Sequence, residues 1–393
     1  VRAESGAVDI AADNGIELGG SALIDTSGTT RVFSDVSLAT PGGQVRLSTT
    51  EGDVSLNEGS VIDVSAPGDA NAGRIELLAD AGSVMTAGAL QASGAERSGD
   101  LTVRAESLPG FATLLNATEQ GTFEGVIRFD QRNGDLTLST TDSLRARQIS
   151  LVTGGDLRID GDITLLGGDA LFAAGTDFRL SGALVSEADT ADSDSRIEIL
   201  SQTGGLELAS GSMIRLGSED TLTLTLGRDA LVSGALQVDG DIDGGRAVYV
   251  DGLATYGDSV ITASDTVADS SNPLFGDAET FAASFDQIAA DVGFANDERF
   301  ILRPAIAIES TGDLTVDSEF NLFEWRFGDD TPGVLTLRAG GNLLFNESLN
   351  DGFTNASTHT LERTSESWSY KLIAGADLDA VNPLATNAST DSG

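Results

Sequence analysis

The sequence has no cysteine and very little histidine, lysine or proline. Its 393 residues include one histidine and seven prolines, and Lys371 is the only lysine among 22 basic residues. Without cysteine there is no disulfide framework, no thiol nucleophile and no cysteine-bound zinc or iron–sulfur site. A single histidine also excludes a metal centre built from several histidines.

Positive charge is scarce as well. Acidic residues outnumber basic ones by 62 to 22, which gives a formal net charge of −40. This balance argues against nucleic acid and anionic lipid as partners, because both are bound by excess Lys and Arg. Apolar runs fall short of the roughly 18 residues that a membrane helix needs. We therefore predict no nucleic-acid partner and no membrane insertion, and the start at Val1 without a signal peptide favours an internal fragment.

A short motif recurs instead: glycine, a polar residue, then apolar–polar–apolar. The form Gly-Asp followed by Leu, Ile or Val begins at Gly52, Gly99, Gly134, Gly155, Gly161, Gly240 and Gly312. Each copy predicts a very short strand with one buried face. The strands fall into groups of three, which open at Val45, Val54 and Val61 and again at Ile197, Leu206 and Ile214.

Three strands and their turns give a repeat of about 20–25 residues, which is the period of a β-solenoid. A β-sandwich also has strands every 8–12 residues or so, but it would not repeat the Gly-Asp motif. We therefore predict an all-β fold, a parallel β-helix. Its inward Val, Ile and Leu would form the core, and its outward acids would keep the long surface soluble.

Several stretches depart from the repeat. The predicted organisation is β-helix coils over 1–263 with excursions near 106–124 and 187–195, a helical insertion over 264–303, further coils over 304–385, and a polar linker over 386–393. The insertion contains a predicted helix over 277–293 that begins at Asp277 and presents Phe281, Phe285 and Ile288 on one face. That face either packs on the coils or is offered to a partner.

Asp239, Asp241 and Asp243, followed by Gly244, match the opening of a calcium-binding loop. The twelfth position, where such a loop carries glutamate, is Val250. The stretch also fits the Gly-Asp-Ile repeat, so the sequence leaves a calcium site and a plain turn both open. We assign no metal, cofactor-binding or catalytic residue.

Two aromatic stretches near the C-terminal end have two interpretations. Trp325 and Trp368, with their neighbours Phe323, Phe327 and Tyr370, either fill the core or stack on sugars. Acid pairs such as Asp329 and Asp330 could act on a polysaccharide, but pairs arise by chance in so acidic a chain. His359 lies in a Ser/Thr-rich stretch with no suitably spaced carboxylate. We therefore predict that the chain is not an enzyme.

Longer motifs lie in the last third of the chain, at 302–309, 312–316, 332–343, 348–353 and 368–378. Together with 128–138, 144–151 and 245–252, they resemble the late, C-terminal β-helical region of filamentous-haemagglutinin-like exoproteins. These proteins are the large partners of bacterial two-partner secretion systems. The Asn-Pro-Asn motifs of the family's N-terminal secretion domain are missing.

The resemblance implies a right-handed β-helix, exported through an outer-membrane β-barrel transporter to the surface or surroundings of a Gram-negative bacterium. It implies adhesion to cells or surfaces through an unknown protein or glycan receptor. We expect a shaft segment that holds a distal function away from the cell. Three alternatives stay open: a glycan-binding adhesin segment that uses residues 323–327 and 277–293, a polysaccharide-active enzyme, and a stalk for a C-terminal toxin.

Overall fold

The computed structural model describes residues 1–34, 36–95, 97–187, 194–328, 330–352 and 366–387. Strands make up 47% of the chain and helices 9%, and the long sheets are parallel. The prediction of an all-β fold is therefore confirmed. Among the described residues, none of the helices combines the length and the apolar character that crossing a membrane requires.

The elements up to residue 120 are β1 (Ala7–Ala12), β2 (Gly15–Leu18), β3 (Leu23–Asp25), β4 (Thr30–Phe33), β5 (Val36–Ala39), β6 (Gln44–Thr49), β7 (Asp53–Leu56), β8 (Val61–Asp63), β9 (Arg74–Thr86), β10 (Ala89–Gln91), β11 (Asp100–Ser107) and α1 (Phe111–Gln120). The next are β12 (Val126–Gln131), β13 (Leu136–Leu138), β14 (Ser143–Ala146), β15 (Gln148–Thr153), β16 (Leu157–Ile159), β17 (Asp162–Leu165), β18 (Ala170–Ala174), β19 (Phe178–Leu180), β20 (Ala183–Ser186), β21 (Arg196–Ser201), β22 (Leu206–Leu208) and β23 (Met213–Arg215).

The remaining elements are β24 (Thr221–Gly227), α2 (Arg228–Val232), β25 (Leu236–Val238), β26 (Asp241–Asp243), β27 (Ala247–Gly257), β28 (Val260–Ile261), α3 (Pro273–Ala282), α4 (Phe285–Asp291), β29 (Phe300–Ser310), β30 (Leu314–Val316), β31 (Phe320–Asn321), β32 (Val334–Ala339), β33 (Leu343–Phe345), β34 (Leu349–Asn350) and β35 (Ser369–Ala374). The chain forms two compact units. Unit 1 is Val1–Ile199, Glu207–Thr221 and Asp239–Arg246, and unit 2 is Leu200–Leu206, Leu222–Val238 and Ala247–Gly393.

Unit 1 stacks its parallel strands in several sets. The longest has the order β1-β6-β9-β11-β12-β15-β18-β21, and the others are β2-β7, β3-β8-β10, β13-β16-β19-β22 and β14-β17-β20-β23-β26. The predicted group at Val45, Val54 and Val61 corresponds to β6, β7 and β8. The repeat is 21 residues between Asp135 and Asp156 but 30 residues between Asp53 and Ser83. The expected period of about 20–25 residues therefore holds for only part of this unit.

The core of unit 1 is a set of in-register columns. Leu77 pairs with Val103, which pairs with Phe129, and all three side chains are fully buried. Along each strand, the residues that alternate with these buried ones face away from the core, as the period of two requires. Burying one such side chain stabilises the fold by about 1.5–3 kcal/mol, so the columns of several strands account for a stable stack.

The Gly-Asp motif has a structural cause. The carboxylate of Asp100 accepts a hydrogen bond from the backbone N–H of Val126, one repeat later. The same bond joins Asp135 to the N–H of Asp156 and Asp162 to the N–H of Ala183. A carboxylate acceptor makes these backbone bonds stronger than neutral ones. At these copies the motif therefore ties one repeat to the next.

Unit 1 also contains a helix and a hairpin outside the parallel sets. The predicted excursion near 106–124 contains α1, which buries Phe111, Leu114 and Leu115. The β4–β5 hairpin is antiparallel and was not predicted. In the excursion near 187–195, residues 188–193 lie outside the described residues.

Unit 2 is built on a sheet of order β24-β27-β29-β32-β35, with the smaller sets β28-β30-β33 and β31-β34. The prediction of one helix over 277–293 is wrong, since α3 and α4 replace it. Asn272, not Asp277, is the N-cap of α3, and its side chain accepts the N–H of Leu274. Pro273 follows at the first helical position, which suits its fixed φ and missing N–H.

The apolar face of this helical segment is buried, as one of the two interpretations predicted. Phe281, Ile288 and Val292 are buried, and the ring centroids of Phe281 and Phe285 lie 5.2 Å apart. At the C-terminal end, Thr386 of the predicted linker forms a bridge with Ala376. Residues 388–393 lie outside the described residues.

Candidate binding cleft

The predicted aromatic patch is part of the core of unit 2. Trp325 is 0% exposed, and Phe327 and Trp368 are nearly as buried. The indole Nε1–H of Trp368 donates to the carbonyl oxygen of Trp325 over 3.0 Å, and Phe275 packs edge-on against Trp325. Because a ligand could not reach these rings, the core interpretation is confirmed and stacking of Trp325 on a sugar is wrong.

Of the three aspartates of the calcium hypothesis, Asp239 lies between β25 and β26, and the other two lie on β26. Asp241 and Asp243 are exposed on β26, with Ile242 between them paired to Ile214. Arg215 lies 3.8 Å from the Asp243 carboxylate. Among the described residues, no three His, Cys, Asp or Glu side chains are grouped to hold a metal ion. The segment is a strand of the repeat rather than a loop wrapped around a cation.

Other sequence candidates are outside the described residues. These are Asp329, His359 and residues 188–193 of the acidic stretch.

The structure instead shows a cleft in unit 2, beside α2, β27 and α3. Its volume is about 780 Å³. The lining residues are Gly227, Arg228, Asp229, Val232, Ser233, Leu253, Ala254, Thr255, Tyr256, Asp277, Thr280, Phe281 and Ser284. This volume is within the range of about 300–1,000 Å³ that small-molecule sites occupy.

Arg228 forms the floor of the cleft, with only 7% of its surface exposed. Its Nε–H donates to the carbonyl oxygen of Gly252 over 3.1 Å, and Nη2 donates to that of Ala305 over 3.0 Å. Because a buried guanidinium needs acceptors for its fixed fork of donors, these carbonyls hold it rigidly. Burial lowers the pKa of Arg228, although nearby Tyr256 and Asp277 partly offset that effect.

A tyrosine connects the buried arginine to an exposed acid. Arg228 Nη1 donates to the Tyr256 hydroxyl at 3.4 Å, and this hydroxyl donates to Oδ2 of Asp277 at 2.9 Å. Burial raises the pKa of Tyr256 to about 12, with the neighbouring Arg228 acting in the opposite direction. The phenol is therefore a neutral donor at physiological pH, and the chain of bonds fixes α3 against β27.

Phe281 forms a buried part of the cleft lining. Its ring lies 5.8 Å from the guanidinium carbon of Arg228 and is packed against Gly252. A Cβ at position 252 would overlap this ring. Glycine at this position therefore lets α3 approach the sheet closely and shapes the cleft.

The sequence analysis identified only some of the residues of this cleft. Asp277 and Phe281 were singled out for the helix, and Gly252 for the family resemblance, but Arg228 was missed. The available signal was Arg228 directly after the alternating strand β24, at a place where several other repeats have the Gly-Asp motif. From the sequence alone, an arginine at this place does not reveal which backbone carbonyls will accept its hydrogen bonds.

Comparison with protein-family models, with curated proteins and with solved structures finds no match to this chain.

Proposed function

We propose that this chain is a shaft segment of a large secreted or cell-surface exoprotein that acts in adhesion. The proposed fold is a right-handed parallel β-helix, as in the filamentous-haemagglutinin-like exoproteins that the sequence motifs resemble. The observation that carries the proposal is the in-register stacking of repeats, in which carboxylates of the Gly-Asp motif, such as those of Asp100 and Asp135, bond to the next repeat. The proposal assigns the chain no catalytic role.

Composition supports the same proposal. A chain without cysteine crosses an oxidising periplasm without forming disulfides that would obstruct threading. In a repeat protein each unit contacts only its neighbours, so coils can fold one after another as they emerge. The net charge of −40 keeps a long surface soluble and discourages association with other chains.

The proposed export partner is an outer-membrane β-barrel transporter. The test is to identify the complete reading frame and its neighbouring genes, then to delete the transporter gene. Antibodies against residues 1–387 should label intact wild-type cells or their medium, and the deletion should abolish that signal while the chain accumulates inside. Unchanged labelling after the deletion would contradict two-partner export.

A shaft is distinguished from other roles by an adhesion assay. Cells with the complete exoprotein should bind their target surface, and beads coated with this chain alone should bind it weakly. An exoprotein that lacks this segment, displayed in equal amount, should adhere less because its distal part lies closer to the cell. Full adhesion without the segment would argue against the shaft.

A further inference from the structure

The cleft of unit 2 has polar groups that the fold itself does not use. Asp229 on α2 and Asp277 on α3 both line it and are exposed. Among the described residues, the only side-chain hydrogen bond to Asp277 is the one at Oδ2, and the side chain of Asp229 has none. Both carboxylates can therefore accept bonds from a ligand.

Two hydroxyls of the cleft, those of Thr280 and Ser233, add further acceptors. The Thr280 hydroxyl donates a hydrogen bond to the carbonyl oxygen of Gly276 at 2.8 Å, and the Ser233 hydroxyl donates one to that of Ala230 at 2.9 Å. A hydroxyl whose hydrogen is engaged in this way offers a ligand only its lone pairs. The rim of the cleft is therefore rich in acceptors, and it fits a ligand that is rich in donors.

The charges of the cleft select among such ligands. Asp229 and Asp277 repel an anionic ligand, and their charge is partly balanced by the buried guanidinium of Arg228. That same guanidinium disfavours a cation at the floor, since like charges at short range repel. A neutral ligand with many hydroxyl groups meets neither penalty.

The apolar surface of the cleft fits the same ligand class. Leu253 and Val232 supply apolar surface, with Val232 58% exposed at the rim, while Phe281 lines the cleft with only 3% of its surface exposed. A sugar ring combines hydroxyl donors at its edge with apolar C–H groups on its faces. The volume of about 780 Å³ suits a short oligosaccharide better than a single small amine or alcohol.

We propose that the cleft formed by α2, β27 and α3 binds a neutral oligosaccharide, with the carboxylates of Asp229 and Asp277 accepting hydrogen bonds from its hydroxyl groups. The inference goes beyond the proposed shaft by giving the chain a ligand class of its own, and it rests on the proposed function for its place at the cell surface. Binding is measured on the purified chain, and export on living cells. Either proposal can therefore fail while the other stands.

The experiment is saturation-transfer NMR followed by calorimetry with defined oligosaccharides. The neutral probes are maltotriose, lactose, mannotriose and triacetylchitotriose. The charged probes are a hyaluronan tetrasaccharide, which is anionic, and a glucosamine trimer, which is cationic. Saturable binding of at least one neutral probe, with weaker or absent binding of the charged probes, supports the proposal. Binding of only a charged probe, or of none of the six, overturns it.

Matched variants locate the site. Asp229→Asn should weaken binding of the neutral probe about tenfold, because a charged acceptor is replaced by a weaker neutral one. Asp286→Asn, an exposed acid on α4 that does not line the cleft, is the control and should leave the affinity unchanged. Equal affinities for both variants and the wild type would place binding elsewhere and overturn the proposal.

A steric pair tests the same site without removing a charge. Thr280→Tyr fills the cleft from an exposed position of α3 and should abolish binding. Glu279→Tyr places the same bulk one residue away, outside the lining, and should bind normally. Circular dichroism and thermal melting establish that each variant is folded. A folded Thr280→Tyr variant that binds like the wild type would overturn the proposal.

Discussion

Oδ1 of Asp135 accepts a hydrogen bond from the backbone N–H of Asp156, 2.9 Å away and 21 residues further along the chain. Asp156 in turn accepts bonds from the N–H of Asp177 and from the Thr176 hydroxyl, the latter at 2.5 Å. The series links consecutive repeats through side chains that the alternating pattern places on the outer surface. Aspartate in this motif therefore stabilises the fold in addition to keeping it soluble.

Acid should weaken this series. The hydrogen bond from the Thr176 hydroxyl is the main cause that lowers the pKa of Asp156. A carboxyl with a lowered pKa in the folded state stabilises the protein above its unfolded pKa, and this contribution is lost as the pH falls through the folded pKa. We expect the free energy of unfolding to decrease below about pH 4, measured by urea denaturation between pH 7 and pH 2.

The variant Asp156→Asn isolates that contribution. It should lower stability at pH 7 and reduce the loss of stability on acidification, since the amide does not titrate. Asp9→Asn, at an exposed position of β1, should change neither quantity appreciably. An acid dependence in Asp156→Asn identical to that of the wild type would refute the assignment.

Stacked glycines should be intolerant of a side chain. A Cβ at Gly73 would overlap the carbonyl oxygen of Gly43 in the neighbouring repeat. We expect Gly73→Ala to cost about 3 kcal/mol or more, because the overlap is with backbone that is held in the sheet. Gly19→Ala is the matched control, since nothing lies within 4 Å of its added Cβ. Equal unfolding midpoints for the two variants would disprove this account.

The buried indole should matter for stability alone. Trp325→Ala should cost about 3–5 kcal/mol, as for other large aromatic truncations in a core, because Trp325 packs among Phe275, Phe320 and Trp368. Phe345→Ala, whose side chain is 45% exposed, should cost much less. Chemical denaturation of both variants checks this. A Trp325→Ala variant as stable as Phe345→Ala would show that the ring is not in the core.

Tyr256 should ionise late in an alkaline titration. Burial raises its pKa to about 12, so tyrosinate absorbance from this residue should appear mainly above pH 11 while the protein is folded. A group whose pKa is raised on folding loses its stabilising contribution as the pH rises through the folded value. The difference spectrum between wild type and Tyr256→Phe measures the ionisation directly. A difference that is complete by pH 10.5 would contradict the buried position.

The same substitution tests the link between Arg228 and Asp277. Tyr256→Phe removes both hydrogen bonds of the hydroxyl and should cost about 1–2 kcal/mol. Asp277→Asn keeps an acceptor for the tyrosine and should cost less. If both substitutions leave the unfolding midpoint unchanged, the hydroxyl does not hold α3 in place.

The strands were the predictable part of this molecule. Period-two alternation and glycine boundaries located short strands such as β6, β7 and β8, because one buried face is a local property of the sequence. The bonding role of the motif aspartates was not visible. An outward aspartate has the same pattern whether it faces water or accepts an N–H from the next repeat.

Helix boundaries were less predictable. The spacing of Phe281, Phe285 and Ile288 continues across the gap between α3 and α4, so periodicity alone gives one helix. The correct start was signalled by Asn272 and Pro273, which form an N-cap and a first helical residue. The aromatic cluster and the cleft depend on side chains that are distant in sequence. No pattern within a short window specifies that Arg228 will meet the carbonyls of Gly252 and Ala305.

The carboxylate-to-amide bond also bears on how such a gene can change. Where the same bond joins Asp135 to Asp156 and Asp156 to Asp177, unequal recombination between neighbouring copies can gain or lose a whole copy. The new junction then regenerates the same donor and acceptor. Heritable variation in copy number should therefore be tolerated in this stretch. Insertions that shift a strand against its neighbour would break the bond, whereas insertions confined to the connection between strands keep it, as between Asp53 and Ser83.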